Sequence, residues 1–193
     1  TAASDGPHAT MLADLANAAL AIAGATASDD AVTFLAGAEG TELVGSSAFA
    51  VHRFHGDVWS LQDAILAELA ADAGGDVDLD ALADTIDGYD DDDDGDNDND
   101  NDKDGVIRRA FLVGRHNGEI AVVPCPAVVQ SLWLRLARGA QPVGAAVAAL
   151  DAELLRRDDD DVAAEDAAYG DALPADGQGW IRALQQAGAV ATM

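Results

Sequence analysis

The chain has 193 residues, a length that fits one hydrophobic core or two small lobes. Its 36 acidic residues, 30 Asp and 6 Glu, stand against nine Arg and one Lys, which gives a formal net charge of -26. This acidity disfavours nucleic acid as a direct partner, because the chain offers no basic face to phosphates. A single cysteine, Cys125, excludes an intramolecular disulfide and any cysteine-rich zinc site, and we expect its side chain to be buried.

The negative charge is spread along the whole chain. Residues 90–104 carry -9, and the other 178 residues still carry -17. At molar salt the Debye length is about 3 Å, so distant like charges no longer repel each other. The composition resembles that of proteins from salt-in halophiles such as the haloarchaea and their viruses. Because 49% of the residues are hydrophobic, we expect a folded chain rather than an acidic disordered one.

The N-terminal segment predicts a helix. Thr10 is a candidate N-cap, Gly24 a candidate stop, and four apolar residues recur between them at helical spacing: Leu12, Leu15, Ala19 and Ile22. A signal sequence is disfavoured because Asp14 lies inside the apolar stretch and no Lys or Arg precedes it. No run reaches the roughly 18 apolar residues of a membrane span. We therefore expect a soluble protein without membrane contact, in the cytoplasm of a high-salt organism or in a virion.

Short strands and helices follow in alternation. β-rich segments at 31–36 and 41–44 flank a glycine-containing turn, and a third covers 48–55. Ser60 begins the pattern S-x-x-D, a variant of the capping box, ahead of a helix that ends before Gly74. A short helix at 79–86 leads into an aspartate-rich tract.

The clearest local pattern is a hairpin. Two β-rich segments, 107–115 and 119–123, are separated by His116-Asn117-Gly118, and Asn-Gly is the preferred pair for a type I′ turn. Pro126 and Pro142 each open a predicted helix, and a last short helix covers 180–187.

These elements predict an α+β fold with a small antiparallel sheet, three strands plus the Asn-Gly hairpin, packed with helices. We expect an α+β domain at 1–138 with an acidic insertion at 90–105, followed by a helical C-terminal extension at 139–193. The element order resembles that of type III secretion chaperones and YbjN-like domains, from which the acidic insertion is a departure.

The aspartate tract, residues 90–105, reads DDDDDGDNDNDNDKDG. Two stretches place alternate carboxylates before a glycine, as in the first half of a calcium loop, where they converge on one hard cation. An EF-hand is rejected, because its twelfth position requires Glu and this chain has Asn101 or Phe111 there. The tract also resembles the calcium-wrapped aspartate loops of thrombospondin type 3 repeats, without their cysteines. The predicted ligands are Asp90, Asp92, Asp94, Asp100, Asp102 and Asp104.

Calcium is the preferred ion for this tract, because its donors are all hard oxygens. Na⁺, K⁺ and Mg²⁺ are the alternatives, and a solvated acidic loop with only nonspecific monovalent ions nearby is the other interpretation. The basic residues beside the tract, Arg108 and Arg109, are expected to balance its charge.

Catalytic patterns are sparse. His52 and His55 fall on opposite faces of a predicted strand, so they do not form a two-histidine metal clamp. His55 and Asp57 could form a His–carboxylate pair, joined in a cleft by His116 or Glu119, although a surface or interface role is favoured. The sequence contains no G-x-S-x-G, H-E-x-x-H, P-loop or G-x-G-x-x-G motif.

The leading functional interpretation is a noncatalytic structural or assembly protein of a halophilic system, such as a virion component, with a cation-binding aspartate loop. Its partners would be other protein subunits in a homo- or hetero-oligomer. Two alternatives are a chaperone-like protein that binds a partner segment and a small hydrolase-type enzyme that uses His55 and Asp57.

Overall fold

The structure confirms the α+β class. The computed structural model describes residues 7–27, 41–71, 77–86, 89, 109–157, 169 and 173–193. The helices among these residues are α1 (Pro7–Ala27), α2 (Val58–Ala71), α3 (Leu79–Ala83), α4 (Ala127–Leu136), α5 (Val143–Leu154) and α6 (Gly177–Gln186). The strands are β1 (Glu42–Gly45), β2 (Phe49–Phe54), β3 (Arg109–His116), β4 (Glu119–Pro124), β5 (Gln141–Pro142) and β6 (Val190–Thr192). The strand predicted at 31–36 and the turn after it lie outside the described residues.

The chain divides into two compact units. The first comprises Thr1–Ala19 and Arg53–Arg109, and the second comprises Leu20–His52 and Ala110–Met193. The first unit is thus formed by two segments that are separated by 33 residues in the sequence. The C-terminal helices share the second unit with β1 and the β3–β4 hairpin. The domain boundary at residue 138 stays a prediction.

Helix α1 differs from its sequence pattern in both its ends and its packing. It runs from Pro7 to Ala27, so the predicted cap at Thr10 and stop at Gly24 are wrong. Leu12, one of the four apolar residues in the predicted pattern, points outward and is 57% exposed. The buried positions recur instead at three- and four-residue spacing, as Met11, Asp14, Ala18, Ala21 and Ala25. Small inward residues allow the helix to lie close to its neighbours, and they leave larger leucines outside.

Helix α2 begins at Val58, two residues before the predicted cap. The Ser60 backbone N–H donates to Asp57 Oδ1 at 3.1 Å, and the Ser60 hydroxyl donates to Oδ2 at 2.6 Å. Asp57 is therefore the N-cap residue, and the S-x-x-D assignment that placed the cap at Ser60 is wrong. The cap prediction failed because Asp57 and Ser60 are both good capping residues three positions apart.

The first unit has a small core in which α1, α2 and α3 meet. Its buried members are Met11, Leu61, Leu82, Ala83 and Tyr89. Helix α3 is fixed at its start by Asp78, whose side chain accepts a hydrogen bond from the Ala81 N–H at 3.1 Å. This core lies next to the buried polar group described below, because Tyr89 belongs to both.

The strands form two three-stranded sheets, with the orders β5-β1-β6 and β2-β3-β4. β1 pairs antiparallel with β5 and with β6, in a register that sets Leu43 opposite Gln141 and opposite Thr192. Strands β1 and β2 were expected to belong to one sheet, and this part of the prediction is wrong. The C-terminal segment was expected to be helical, but it supplies β5 and β6, the two strands that pair with β1.

The larger core lies in the second unit. Its largest fully buried side chains are Leu43, Leu112, Leu132, Leu150, Trp180 and Leu184. Cys125 is also fully buried there, as expected. Helix α4 contributes Val129, Leu132 and Leu136 to this core as buried residues, whereas Trp133 is only partly buried.

The predicted Asn-Gly hairpin is confirmed. Asn117 and Gly118 have φ angles of 52° and 86°, the left-handed values that a type I′ turn requires at both central positions. The register sets His116 opposite Glu119 and carries the pairing back to Phe111 opposite Pro124. The hairpin can be predicted from residues 116–119 alone, because the conformation of a two-residue turn depends mainly on the residues within it.

One helix in the described part of the chain is long and apolar enough to cross a membrane. The segment His8–Ala27 has 20 residues and a mean hydropathy of 1.3. The expectation that no segment reaches this length is therefore wrong. Length and composition are the only criteria met, and core helices and N-terminal signal sequences also meet them. Asp14 lies inside the segment and is bound by other residues of the protein.

Candidate functional site

A carboxylate buried in the first unit is the centre of the candidate site. Asp14 is completely inaccessible to solvent and, among the described acidic residues, it is the one that is fully buried. A buried carboxylate is costly unless several donors replace its water shell. Asp14 therefore depends on the groups that surround it.

Four donors replace the water around Asp14. Oδ2 accepts hydrogen bonds from the backbone N–H of His55 at 2.7 Å, the backbone N–H of Gly56 at 3.1 Å and the Tyr89 hydroxyl at 2.9 Å. Oδ1 lies 3.0 Å from His55 Nδ1. We call Asp14, His55, Gly56 and Tyr89 the Asp14 cluster. It connects α1, the turn between β2 and α2, and residue 89 beside the aspartate tract.

Gly56 is required for this arrangement. A Cβ atom at this position would lie 2.5 Å from a ring carbon of Tyr89, well inside van der Waals contact. Tyr89 is 2% exposed, so its ring has little room to move away. The absence of a side chain at residue 56 therefore allows the Tyr89 hydroxyl to reach Asp14.

His55 is held in one tautomer by its contact with Asp14. An ionised carboxylate can only accept, so Nδ1 donates the hydrogen, and in the neutral form of the ring Nε2 then carries the lone pair. The His55 side chain is 35% exposed. The arrangement can orient an imidazole whose outer nitrogen accepts a proton or binds a cation. It can equally fix the turn through the two backbone N–H groups.

A pair of His55 with Asp57 was considered as the less favoured alternative to a surface role, and the structure pairs His55 with another carboxylate. The carboxylate paired with His55 is Asp14, which lies 41 residues earlier in the chain. Asp57 caps α2 and lies 3.7 Å from Arg109 Nη1. Strand β3 thus begins with a guanidinium that is only 8% exposed and sits beside Asp57. The signal for the true partner was Asp14 itself, the one acidic residue in an apolar helix.

Burial and negative charge raise the pKa of Tyr89 above its ordinary value. Loss of solvent is the largest cause, followed by the hydrogen bond to Asp14 and the negative charges of Asp14 and Asp57, while Arg109 acts in the opposite direction. Burial lowers the pKa of His52, on β2. Tyr89 therefore remains a hydrogen-bond donor to Asp14 well into the alkaline range.

His116 and Glu119, the other residues considered for catalysis, lie in the second unit at the end of the β3–β4 hairpin. They are directly opposite each other in the strand register. His116 Nε2 lies 3.0 Å from the Asn117 side-chain nitrogen. Gly188 packs against His116, because a Cβ there would overlap the imidazole ring. The imidazole therefore has structural neighbours on two sides.

The second unit also contains an open pocket of about 300 Å³ that the sequence did not indicate. Ser46 lies in it, with a side chain that accepts a hydrogen bond from the Ala48 N–H at 3.2 Å. The residues that line it are Gly45, Ser46, Ser47, Phe49, Trp133, Leu136 and Ala137. Its aromatic and aliphatic walls suit an apolar group.

The six predicted metal ligands, Asp90 to Asp104, lie outside the described residues. Within the part of the chain that the structure describes, no three His, Cys, Asp or Glu side chains are grouped so as to hold a metal ion. Comparison of the chain with protein-family models, curated proteins and solved structures gives no match. The resemblances to thrombospondin type 3 loops and to chaperone domains therefore stay predictions.

We expect Asp14→Ala to reduce the free energy of unfolding by about 3–5 kcal/mol, because four donors would lose their acceptor in a buried place. Asp14→Asn keeps one acceptor oxygen and should fall between wild type and Asp14→Ala. Denaturant titration at constant molar KCl measures these differences. Asp63→Ala, at an exposed position of α2, is the matched control and should change stability by no more than about 0.5 kcal/mol. Equal effects of Asp14→Ala and Asp63→Ala would show that the cluster contributes nothing to stability.

Tyr89 predicts a loss of stability at high pH. Its pKa is raised in the folded protein, so the unfolded chain, with a tyrosine pKa of about 10, releases the proton first. The contribution is complete below about pH 10 and is lost as the pH rises above that value. Tyr89→Phe should lower stability by about 1 kcal/mol at pH 8 and flatten the decline between pH 9.5 and 11.5. Thermal midpoints across this range test it, and equal slopes in both proteins would contradict it.

Proposed function

We propose that this chain is a noncatalytic structural subunit that assembles with other protein subunits in a high-salt system, such as the cytoplasm of a halophile or a virion. The observation that supports it most is the set of large apolar side chains exposed on a chain with a charge of -26. They are Leu12, Leu20, Leu66, Leu69, Ile120, Val122, Leu134, Leu155 and Met193. Single exposed apolar residues are common on protein surfaces, but groups of them mark interaction sites.

Several of these residues occur in groups on one element. α1 and α2 each carry two exposed leucines, at 57% and 70% for Leu12 and Leu20 and at 55% and 48% for Leu66 and Leu69. If these positions were exposed to solvent, we would expect acidic residues there, because acidic residues are abundant in the rest of this chain. The leucines therefore indicate faces that other protein covers.

Strand β4 provides a further surface of this kind. Ile120 and Val122 are both 37% exposed and, two residues apart, project from the same face of the strand. In the sheet that the structure describes, β4 lies at the edge, and Glu119 is its one charged residue. An edge strand with few charges offers backbone groups for pairing with another chain.

High salt is the condition under which such surfaces can meet. In dilute buffer two copies with -26 each repel one another, whereas at molar salt screening limits this repulsion to about 3 Å. Apolar contacts are not weakened by screening, and excluded salts strengthen them. The acidic composition and the exposed leucines thus favour the same conclusion, an assembly that forms in concentrated salt.

We also propose that the aspartate tract binds Ca²⁺ through Asp90, Asp92, Asp94, Asp100, Asp102 and Asp104. The alternation of carboxylates before Gly95 and Gly105 supports this. Tyr89 links the start of the tract to Asp14. A bound cation would reduce the repulsion among the ten carboxylates of the tract, which follows Tyr89 in the sequence.

The Asp14–His55 pair favours a second candidate, a hydrolase-type enzyme in which His55 Nε2 takes a proton from water. A buried carboxylate that orients an imidazole is a common element of general-base catalysis. We rank this candidate below assembly, because two of the four hydrogen bonds to Asp14 come from backbone N–H groups of the turn. Those two bonds serve to hold the backbone.

The assembly proposal predicts a salt-dependent mass. In 2–3 M KCl we expect the wild-type protein to sediment as an oligomer, and in 0.1 M KCl as monomers that unfold more easily. Analytical ultracentrifugation with circular dichroism at each salt concentration measures both changes. A monomer at every KCl concentration would refute the assembly proposal. A melting temperature that is the same at 0.1 M and at 2–3 M KCl would refute the expectation that the fold requires salt.

The calcium proposal predicts saturable binding above the monovalent background. Titration calorimetry in molar NaCl should detect it, and Asp102→Asn combined with Asp104→Asn should weaken it at least tenfold. Binding should also stabilise the fold, by about 2.7 kcal/mol at a hundredfold excess over Kd. Asp158→Asn combined with Asp159→Asn, in another acidic run, is the matched control. No heat beyond dilution in the wild type would identify the tract as a solvated acidic loop.

A further inference from the structure

One part of this acidic chain is basic. Residues 109–157, all of which the structure describes, contain six Arg and three acidic residues, so they carry a net charge of +3. Because the whole chain carries -26, the other 144 of its 193 residues carry -29. Helices α4 and α5 lie in the basic segment. An acidic partner therefore meets less repulsion on these helices than on the rest of the protein.

The acidic side chains of α5 have internal partners. Asp151 Oδ1 accepts a hydrogen bond from the Gly177 backbone N–H at 2.7 Å. Glu153 Oε1 lies 3.3 Å from Arg135 Nη1 on α4. Between residues 127 and 157 the charged residues that are exposed are Arg138 and Arg156. The charge that this helix pair presents to a partner is therefore positive.

The open pocket of about 300 Å³ ends one residue before Arg138 in the sequence, at Ala137. We call it the Trp133 pocket, after the largest residue that lines it. Phe49 and Leu136 are also part of its walls. Its volume is at the lower limit of small-molecule sites, which measure about 300–1,000 Å³. The pocket therefore suits one or two apolar side chains whose neighbour carries a negative charge.

Contacts within the protein fix the walls of the Trp133 pocket. The Ser46 backbone N–H donates to the Ala189 carbonyl at 2.8 Å, and the Ser46 hydroxyl oxygen accepts from the Ala48 N–H at 3.2 Å. A Cβ atom at Gly45 would lie 3.6 Å from the Trp133 ring, so this ring lies directly against β1. A pocket with fixed walls binds its partner at a small cost in ordering.

Helix α2 carries a surface of complementary chemistry. Leu66 and Leu69 are 55% and 48% exposed, and Asp63 is exposed about one turn before Leu66. These three positions, spaced three residues apart, lie within about 120° of each other around the helix. We call them the outer face of α2. Two apolar side chains at this spacing are typical of helices that bind in an apolar groove.

The geometry points to a second copy of this chain as the partner of the Trp133 pocket. We propose that the pocket of one copy receives Leu66 and Leu69 from the outer face of α2 of a second copy. Asp63 of the second copy then lies beside Arg138. This inference rests on the proposed assembly function and names one of its contacts. The contact joins two different surfaces, and each copy carries both of them.

Charge favours this pairing over a contact between two identical acidic surfaces. Like charges that face each other across an interface are costly, and most of the chain is acidic. In the proposed contact, an acidic helix face meets the basic segment of its neighbour. The leucines fill the pocket, and the pairing of opposite charges fixes the orientation.

Two variants that each lose one surface test the contact. Leu66→Asp combined with Leu69→Asp removes the leucines and keeps the pocket. Ala137→Phe fills the pocket from an exposed position and keeps the leucines. In sedimentation at 3 M KCl we expect each variant alone to have a lower mass than the wild type. An equimolar mixture of the two should form a 1:1 complex, because one intact pocket and one intact α2 face remain.

Leu12→Asp and Ala127→Phe are the matched controls. Leu12 is 57% exposed, nearly the same as Leu66, and lies on another helix of the first unit. Ala127 is an exposed alanine at the start of α4, outside the pocket. Both control proteins should keep the mass of the wild type. Circular dichroism of every variant confirms that it is folded.

Charge exchange tests the orientation within the 1:1 complex. Arg138→Glu on the protein that supplies the pocket should raise the dissociation constant about threefold at 1 M KCl, because it sets like charges side by side. Asp63→Arg on the protein that supplies the leucines should then restore the original value. Arg156→Glu, the same change at the other exposed arginine, is the control and should have no effect. A further loss of affinity with Asp63→Arg would overturn the proposed orientation.

The outcomes separate this inference from the proposed function. If the wild type is oligomeric and both pocket and leucine variants keep its mass, the contact is refuted and assembly through other surfaces stands. If both variants lose mass but their mixture forms no complex, the two surfaces do not bind each other. If the wild type is monomeric at 3 M KCl, the assembly proposal fails together with this contact. If that monomer binds phenylacetate, used as a probe, and Ala137→Phe abolishes the binding, the pocket is a small-molecule site and the second copy is refuted as its occupant.

Discussion

The organisation of the first unit depends on one buried carboxylate. Asp14 accepts hydrogen bonds from two backbone N–H groups, an imidazole and a phenol that come from sequence positions 55, 56 and 89. Because Asp14 must point inward to meet these donors, it also sets the rotation of α1 about its axis. Residues two positions away, at 12 and 16, lie about 200° around the helix and therefore point outward. The inward direction of Asp14 thus also determines that Leu12 and Ala16 point outward.

Local sequence signals predicted the elements whose chemistry is local. Asn117 and Gly118 adopt the positive φ values that their types favour, and helices α4 and α5 begin directly after Pro126 and Pro142. The α+β class follows from such elements. The partner of His55 could not be predicted in this way, because the carboxylate nearest to His55 in the sequence is Asp57. A contact across 41 residues depends on how the chain closes, and the only local trace of it was a single Asp in an apolar helix.

The sheet order shows the same limit. β5 has two residues and β6 has three, lengths at which hydrophobic alternation contains almost no information. They are strands because β1 offers a pairing edge to each of them, with Val44 set opposite Ala191. Pairing partners of this kind come from tertiary packing around Leu43 and Trp180, both of which are fully buried.

Salt should act on this protein at two levels that respond differently. Asp14 itself has no contact with solvent, and two of its four hydrogen bonds, from Gly56 and Tyr89, are buried, so screening by dissolved ions hardly reaches its charge. The repulsion among the acidic residues at the surface is exposed, and screening reduces it strongly. Raising the salt concentration therefore removes an opposing force from the surface while leaving the Asp14 cluster unchanged. It also permits apolar parts of two surfaces to approach each other. We therefore expect any dependence of stability on salt to arise at the surface, because the internal organisation of the first unit rests on hydrogen bonds to a carboxylate that solvent does not reach.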